Sequence, residues 1–134
     1  MSTPKFTLKA FERLKSKKQI GRLFTEGKSQ FKFPFKLFYI IEPIQNDADW
    51  PLLFSVSIPK KKIKLAVKRN LLKRRTREAY RINKLPLDKL LKEKRYKVSL
   101  MFVYLENDVK EYSDIEKSII KHIDEIYNKI NNLS

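Results

Sequence analysis

The side chains best suited to chemistry in this 134-residue sequence are its cations, and they are crowded together. Between Lys60 and Lys84 stand twelve Lys/Arg (positions 60, 61, 62, 64, 68, 69, 73, 74, 75, 77, 81 and 84) against one acid, Glu78. The rest of the chain holds 19 basic and 14 acidic residues, so most of the net charge of +16 comes from one short stretch. Arg69, Lys73, Arg77 and Arg81 follow one another at i, i+4 spacing. Like charges so placed on a helix repel by a few tenths of a kcal/mol per pair. A row of phosphates opposite them removes that penalty, and guanidinium groups suit bidentate phosphate contact. Asn70 lies inside the same arc, in a helix interior where asparagine is disfavoured, and its amide can donate to a phosphate or, by its carbonyl, hold a hydrated metal. This localised excess points to a polyanion partner, nucleic acid above all.

Other chemistries have little to work with. Cysteine is absent, which removes disulfides, thiolate zinc sites, iron–sulfur clusters and thiol nucleophiles. Two glycines, Gly21 and Gly27, are too few for a glycine-rich phosphate cradle. A nuclease acting alone needs converging carboxylates to hold two metals. The candidates are Glu106, Asp108, Glu111, Asp114 and Glu116, but Asp114 and Glu116 open a helix, where negative charge complements the dipole. The single histidine, His122, stands beside an isoleucine stripe and reads as an ordinary helix-flank residue.

The elements that must position these groups follow from periodicity. Ser16 to Gln19 has capping-box form, and Ile20, Leu23 and Phe24 continue it as a short helix ending at Gly27. Phe31, Phe33, Phe35, Leu37, Tyr39 and Ile41 alternate as one face of a strand, with Pro34 at an edge or dividing the stretch in two. Leu52, Phe54, Val56 and Ile58 mark a second strand, stopped by Pro59. Lys64 to Lys84 forms a helix ended by Pro86. At about 100° per residue, Arg69, Asn70, Lys73, Arg74, Arg77, Arg81 and Lys84 share one side. Val67, Leu71, Leu72, Ala79 and Ile82 take the other, interrupted by Lys68 and Arg75. Residues 97–106, apolar on both faces, form a buried central strand. Ser113 to Glu116 is a second capping box, behind which Ile115, Ile119, Ile123, Ile126 and Ile130 make the stripe of a final helix.

One domain over residues 1–134 accounts for the length, with 1–15 an extended lead-in. The longest apolar runs, Leu37–Ile41 and Leu100–Leu105, fall far short of a membrane span. The N-terminus lacks an apolar signal core, so a soluble, cytoplasmic protein is expected.

The stretch from Ser55 to Arg81 resembles the protein subunit of bacterial ribonuclease P. The resemblance rests on Arg69-Asn70, Lys73-Arg74 and Arg77-Glu78, preceded by Ser55-Val56-Ser57 and a lysine run. The first helix ending at Gly27, the aromatic strand after it and the terminal helix stand in the expected order, so nearly the whole chain is covered. Two positions depart from the family pattern: Leu71 replaces a frequent arginine, and Lys64 a glycine in the turn before the basic helix.

The resemblance implies an α+β domain, a mixed sheet of about four strands with about three helices, and a left-handed β–α–β crossover, as in the ribonuclease P protein-like and ribosomal-protein domain 2-like folds. General rules would have given that crossover the right hand. It implies binding of the catalytic RNA and of the 5′ leader of precursor tRNA. The RNA performs the cleavage with Mg2+ that it mainly holds itself, so no protein residue is catalytic and none is assigned as a metal ligand. The basic helix (Lys68, Arg69, Asn70, Lys73, Arg74, Arg77, Arg81) would meet the RNA subunit. Ile20, Phe24 and Phe38, with Ser55, Ser57, Lys60, Lys61 and Lys62 at the rim, would form the leader cleft. No obligate protein partner is implied. A ribosomal or general RNA-binding module of the same charge and size is the competing reading.

Overall fold

The computed structural model describes residues 17–133. The order is α1 (Lys17–Glu26), β1 (Lys28–Lys32), β2 (Phe35–Pro43), β3 (Leu52–Ser57), α2 (Ala66–Asn83), α3 (Leu85–Lys94), β4 (Tyr96–Tyr104) and α4 (Tyr112–Asn131). The sheet runs β1-β2-β4-β3. β2 is antiparallel to both β1 and β4, whereas β3 is parallel to β4 and reaches it through the α2–α3 crossover. β4 is therefore central, which explains its apolar character on both faces.

One sheet face carries Phe35, Leu37, Tyr39, Leu52, Phe54, Val98, Leu100, Phe102 and Tyr104, all buried beneath the helices that follow β3. Ile115, Ile119, Ile123, Ile126 and Ile130 of α4 close that core, as the i, i+4 stripe predicts. α1 lies on the opposite face, where Leu23 packs on Met101 in a smaller apolar cluster. Gly27, directly after α1, lets the chain turn closely into β1. A Cβ there would stand 2.4 Å from the Leu23 carbonyl oxygen and 3.1 Å from that of Tyr39.

Pro34 divides the aromatic stretch in two, one of the two arrangements its position allows, and makes it a hairpin with a cis Phe33–Pro34 bond at the turn. Three local expectations change. The reversal alters the alternation, because Phe31 pairs with Lys36 and so faces away from Phe35 and Leu37. Helices number four among the described residues. Pro86 ends α2, but it also sits in the first turn of α3, where a missing N–H costs nothing. α4 begins at Tyr112 with Glu111 before it and no side-chain cap, so Ser113 is not a capping residue. Glu116 instead accepts from the Asn83 amide (3.2 Å), joining α4 to α2. The Ser16 cap lies outside the described residues.

His122 is no flank residue. It is fully buried and takes a hydrogen bond from the Gln30 amide on Nδ1 (2.9 Å) while its Nε2 donates to the Phe35 carbonyl (3.0 Å). Ser118 donates to the Lys32 carbonyl (2.6 Å) one turn earlier, so α4 is stitched to the hairpin by polar groups inside the core.

Candidate nucleic-acid interface

Two neighbouring surfaces carry the residues singled out from the sequence. The first is α2. Its buried side is Leu72, Thr76, Ala79 and Tyr80. Val67 (73% exposed) and Ile82 (41% exposed) face water, so the helix is rotated from the apolar arc expected. Tyr80 decides the rotation by stacking on Phe54 with ring centroids 4.1 Å apart. Thr76 can follow it inward because its hydroxyl donates to the Leu72 carbonyl (2.7 Å).

This rotation sorts the cations. Lys68, Asn70, Arg74 and Arg77 are exposed, and Lys73 is half-buried. Lys84 is buried, with its ammonium 5.9 Å from the Tyr80 ring, and leaves the surface arc. Arg69 turns back on the chain and donates to the carbonyls of Ile63 (3.0 Å) and Lys64 (2.7 Å). It thereby holds the turn that opens α2, where Leu65 provides no side-chain cap. Arg75 donates to the Lys110 carbonyl (2.7 Å) and ties α2 to the loop before α4. Arg81 pairs with Glu78 (2.6 Å), whose carboxyl the guanidinium holds below the ordinary carboxylate range. Lys60, Lys61 and Lys62 occupy the turn before α2, pinned by buried Ile63 and by bonds from the Lys62 and Ile63 amides to the Pro59 carbonyl.

The second surface is the sheet face beneath α1. Strand register places Ser55 beside Met101 and Met101 beside Phe38, with Ser57, Val103 and Lys36 aligned in the next row. Phe24 of α1 meets Phe38 edge-on, with centroids 4.7 Å apart, yet remains 51% exposed. Ile20 packs into the Leu23–Met101 cluster. The fold thus gathers Ile20, Phe24, Phe38, Ser55 and Ser57 on one side of the sheet, and β3 leads directly into the lysine turn. Arg22 fixes α1 there by donating to both carboxylate oxygens of Glu42 (2.7 and 3.0 Å), which keeps that carboxyl below its usual range. Lys36 was not marked as a site residue from the sequence, but its ammonium lies 5.0 Å from the Phe38 ring centre. Its signal was a lysine at an outward position between inward Phe35 and Leu37.

The acidic candidates do not gather. Asp108 pairs with Lys110 and Glu116 accepts from Asn83, and among the described residues no three His, Asp or Glu converge as a metal site. No helix among them is long and apolar enough to cross a membrane.

Comparison with known proteins gives one consistent result. The sequence pattern of the Ribonuclease P family matches residues 8–127. The ribonuclease P protein component of Porphyromonas gingivalis strain W83 is 33% identical over 122 residues, covering 91% of this chain and 88% of the relative. That of Syntrophus aciditrophicus is 40% identical over 80 residues, covering 60% and 62% of the two chains. The solved structure of the Staphylococcus aureus RNase P protein superposes with a TM-score of 0.61 at 21% identity, covering 90% of this chain and 98% of that one. The likeness extends to the fold, which among the described residues of this chain is a mixed four-stranded sheet with four helices. The chain belongs to the ribonuclease P family, as a protein subunit of that endoribonuclease.

Proposed function

We propose that this protein binds the catalytic RNA of ribonuclease P through α2 and the 5′ leader of precursor tRNA through the sheet cleft, and so assists removal of the leader. The observation that carries this is the junction of the two surfaces: β3, which floors the cleft, runs through the lysine turn straight into the basic helix. A substrate strand leaving the cleft at Ser57 therefore meets Lys60, Lys61 and Lys62 before it reaches whatever α2 holds. The cleft offers what single strands need, aromatic faces and a cationic border. The helix offers exposed Lys68, Asn70, Arg74 and Arg77 with half-buried Lys73, suited to phosphates. Arg69 and Arg81 contribute differently, the first by shaping the turn and the second as a cation already shared with Glu78.

In this reading the RNA subunit supplies the cleavage chemistry with Mg2+. Of the acidic residues considered as metal ligands, Asp108 pairs with Lys110 and Glu116 accepts from Asn83, and in this reading the ion is held mainly by RNA. The protein works in the cytoplasm and needs no second protein.

The test adds purified protein to its cognate ribonuclease P RNA at low magnesium and follows leader removal. Stimulated cleavage is expected, with precursor tRNA bound more tightly than mature tRNA. No stimulation, together with tight binding to ribosomal RNA, would instead make it a general RNA-binding module.

A further inference from the structure

Phe31 is a phenylalanine with nothing to gain from its position as a core residue. It is 54% exposed, on the edge strand β1, facing away from the main core. An apolar ring on a sheet edge is a liability unless something covers it. Lys28, on the same strand, places a charge at that edge, whereas Lys32 is paired with Glu125 of α4 (2.9 Å).

The strand register shows what Phe31 is aligned with. Ser57 of β3 stands beside Val103 of β4, Val103 beside Lys36 of β2, and Lys36 beside Phe31 of β1. These four form one row across the sheet, on the face that carries Phe38. The next row is Ser55, Met101, Phe38 and Ser29, and the one beyond holds Leu53, Ser99 and Ile40. α1 lies toward that last side, with Arg22 clamped to Glu42 and with Ile20 and Leu23 in one cluster with Met101, Phe38, Ile40 and Leu53, at whose margin Val103 of the first row also packs. The Ser57–Phe31 row is thus the outer lane of the cleft. It spans three strand spacings, about 14 Å, from the lysine turn to the β1 edge. The lane has a cation in its middle, Lys36, placed over Phe38, and an exposed aromatic ring at its far end.

We infer that Phe31 is a further stacking platform for single-stranded RNA, holding a leader nucleotide farther from the cleavage site than those at Phe24 and Phe38. The direction follows from the lane: its other end opens on the lysine turn and α2, where the RNA subunit is placed. Phe31 therefore sets how much of the leader the protein senses. The inference rests on the proposed leader cleft and adds to it a residue and a length limit.

The experiment uses the enzyme reconstituted with its RNA and a nested series of precursor tRNAs, the 5′ leader lengthened one nucleotide at a time. Wild type should gain affinity stepwise and then level off. Phe31→Ala should level off one step earlier and bind the longest leaders about fivefold or more weakly, the least that one lost stacked base predicts. Phe31→Trp should restore the last step, and mature tRNA should bind all three alike. Phe38→Ala should lose affinity already at shorter leaders. An unchanged thermal midpoint for Phe31→Ala is expected, since the ring is exposed. The inference is overturned if Phe31→Ala superposes on wild type at every leader length, or if it weakens mature tRNA equally. It is also overturned if the substitution changes only self-association of the protein, because Phe31 would then be covered by a second copy. A wild-type enzyme indifferent to the leader would sink the leader cleft itself, whereas leader dependence that Phe31→Ala leaves intact would sink only this extension.

Discussion

His122 has two partners that fix its protonation. Nδ1 accepts from Gln30 and Nε2 donates to Phe35, an arrangement only the neutral ring satisfies. Burial, the largest cause, lowers its pKa from the ordinary 6.5 to about 4. As pH falls, the unfolded chain takes up the proton first. The contribution of His122 is therefore complete above about 6.5 and is lost as pH drops toward 4, to a total of roughly 3 kcal/mol. Urea titrations at a series of pH values should show this decline, and His122→Phe, less stable at neutral pH, should flatten it between pH 6.5 and 5. Arg69 and Arg74 allow a second residue-scale contrast. Arg69→Ala leaves the Ile63 and Lys64 carbonyls without their donor and should lower the thermal midpoint as well as RNA affinity. Arg74→Ala, on exposed surface, should leave the midpoint unchanged, weaken RNA binding and reduce the salt slope by about 1. A matching stability loss for both would remove the distinction.

At the scale of elements, α2 is a helix whose inner side is set by one aromatic stack and whose outer side is left to charge. Tyr80→Ala should cost about 3–5 kcal/mol, read by denaturant midpoint, because a fully buried ring is deleted from its stack on Phe54. Glu78 is the only acid between Lys60 and Lys84, and it draws Arg81 along the helix surface. Glu78→Gln removes that charge and loosens Arg81. Binding to the RNA subunit should tighten at low salt and depend on salt more steeply, whereas weaker binding would mean that the Glu78–Arg81 pair itself presents the surface. The Arg22–Glu42 pair plays a different part, setting α1 on the sheet and so the width of the cleft beneath it.

For the whole molecule, the net charge of +16 opposes compaction and favours a polyanion. Salt should therefore act in opposite directions on two measurements. Between low and physiological ionic strength the thermal midpoint of the free protein should rise as self-repulsion is screened, while affinity for RNA falls. A midpoint that falls with salt would show that its attractive pairs, such as Arg22–Glu42 and Lys32–Glu125, outweigh repulsion.

Local pattern carried much of this protein. Charge density over residues 60–84, the isoleucine stripe of α4 and the alternation of Leu52, Phe54 and Val56 each follow from nearest-neighbour geometry, and the structure preserves them. Membership of the family could be read from Arg69-Asn70, Lys73-Arg74 and Arg77-Glu78 because those residues lie close along the chain. What periodicity left open depended on partners distant in sequence. Tyr80 turned α2 by finding Phe54, and His122 went inward because Gln30 and Phe35 met both its nitrogens. Phe31 changed faces because the turn at Pro34 reset the alternation, and its place in the cleft's outer lane exists only once β3, β4, β2 and β1 are in register. Apolar spacing states how much surface an element must bury; which side chains take that place is settled by the shapes and hydrogen bonds that long-range packing brings against it.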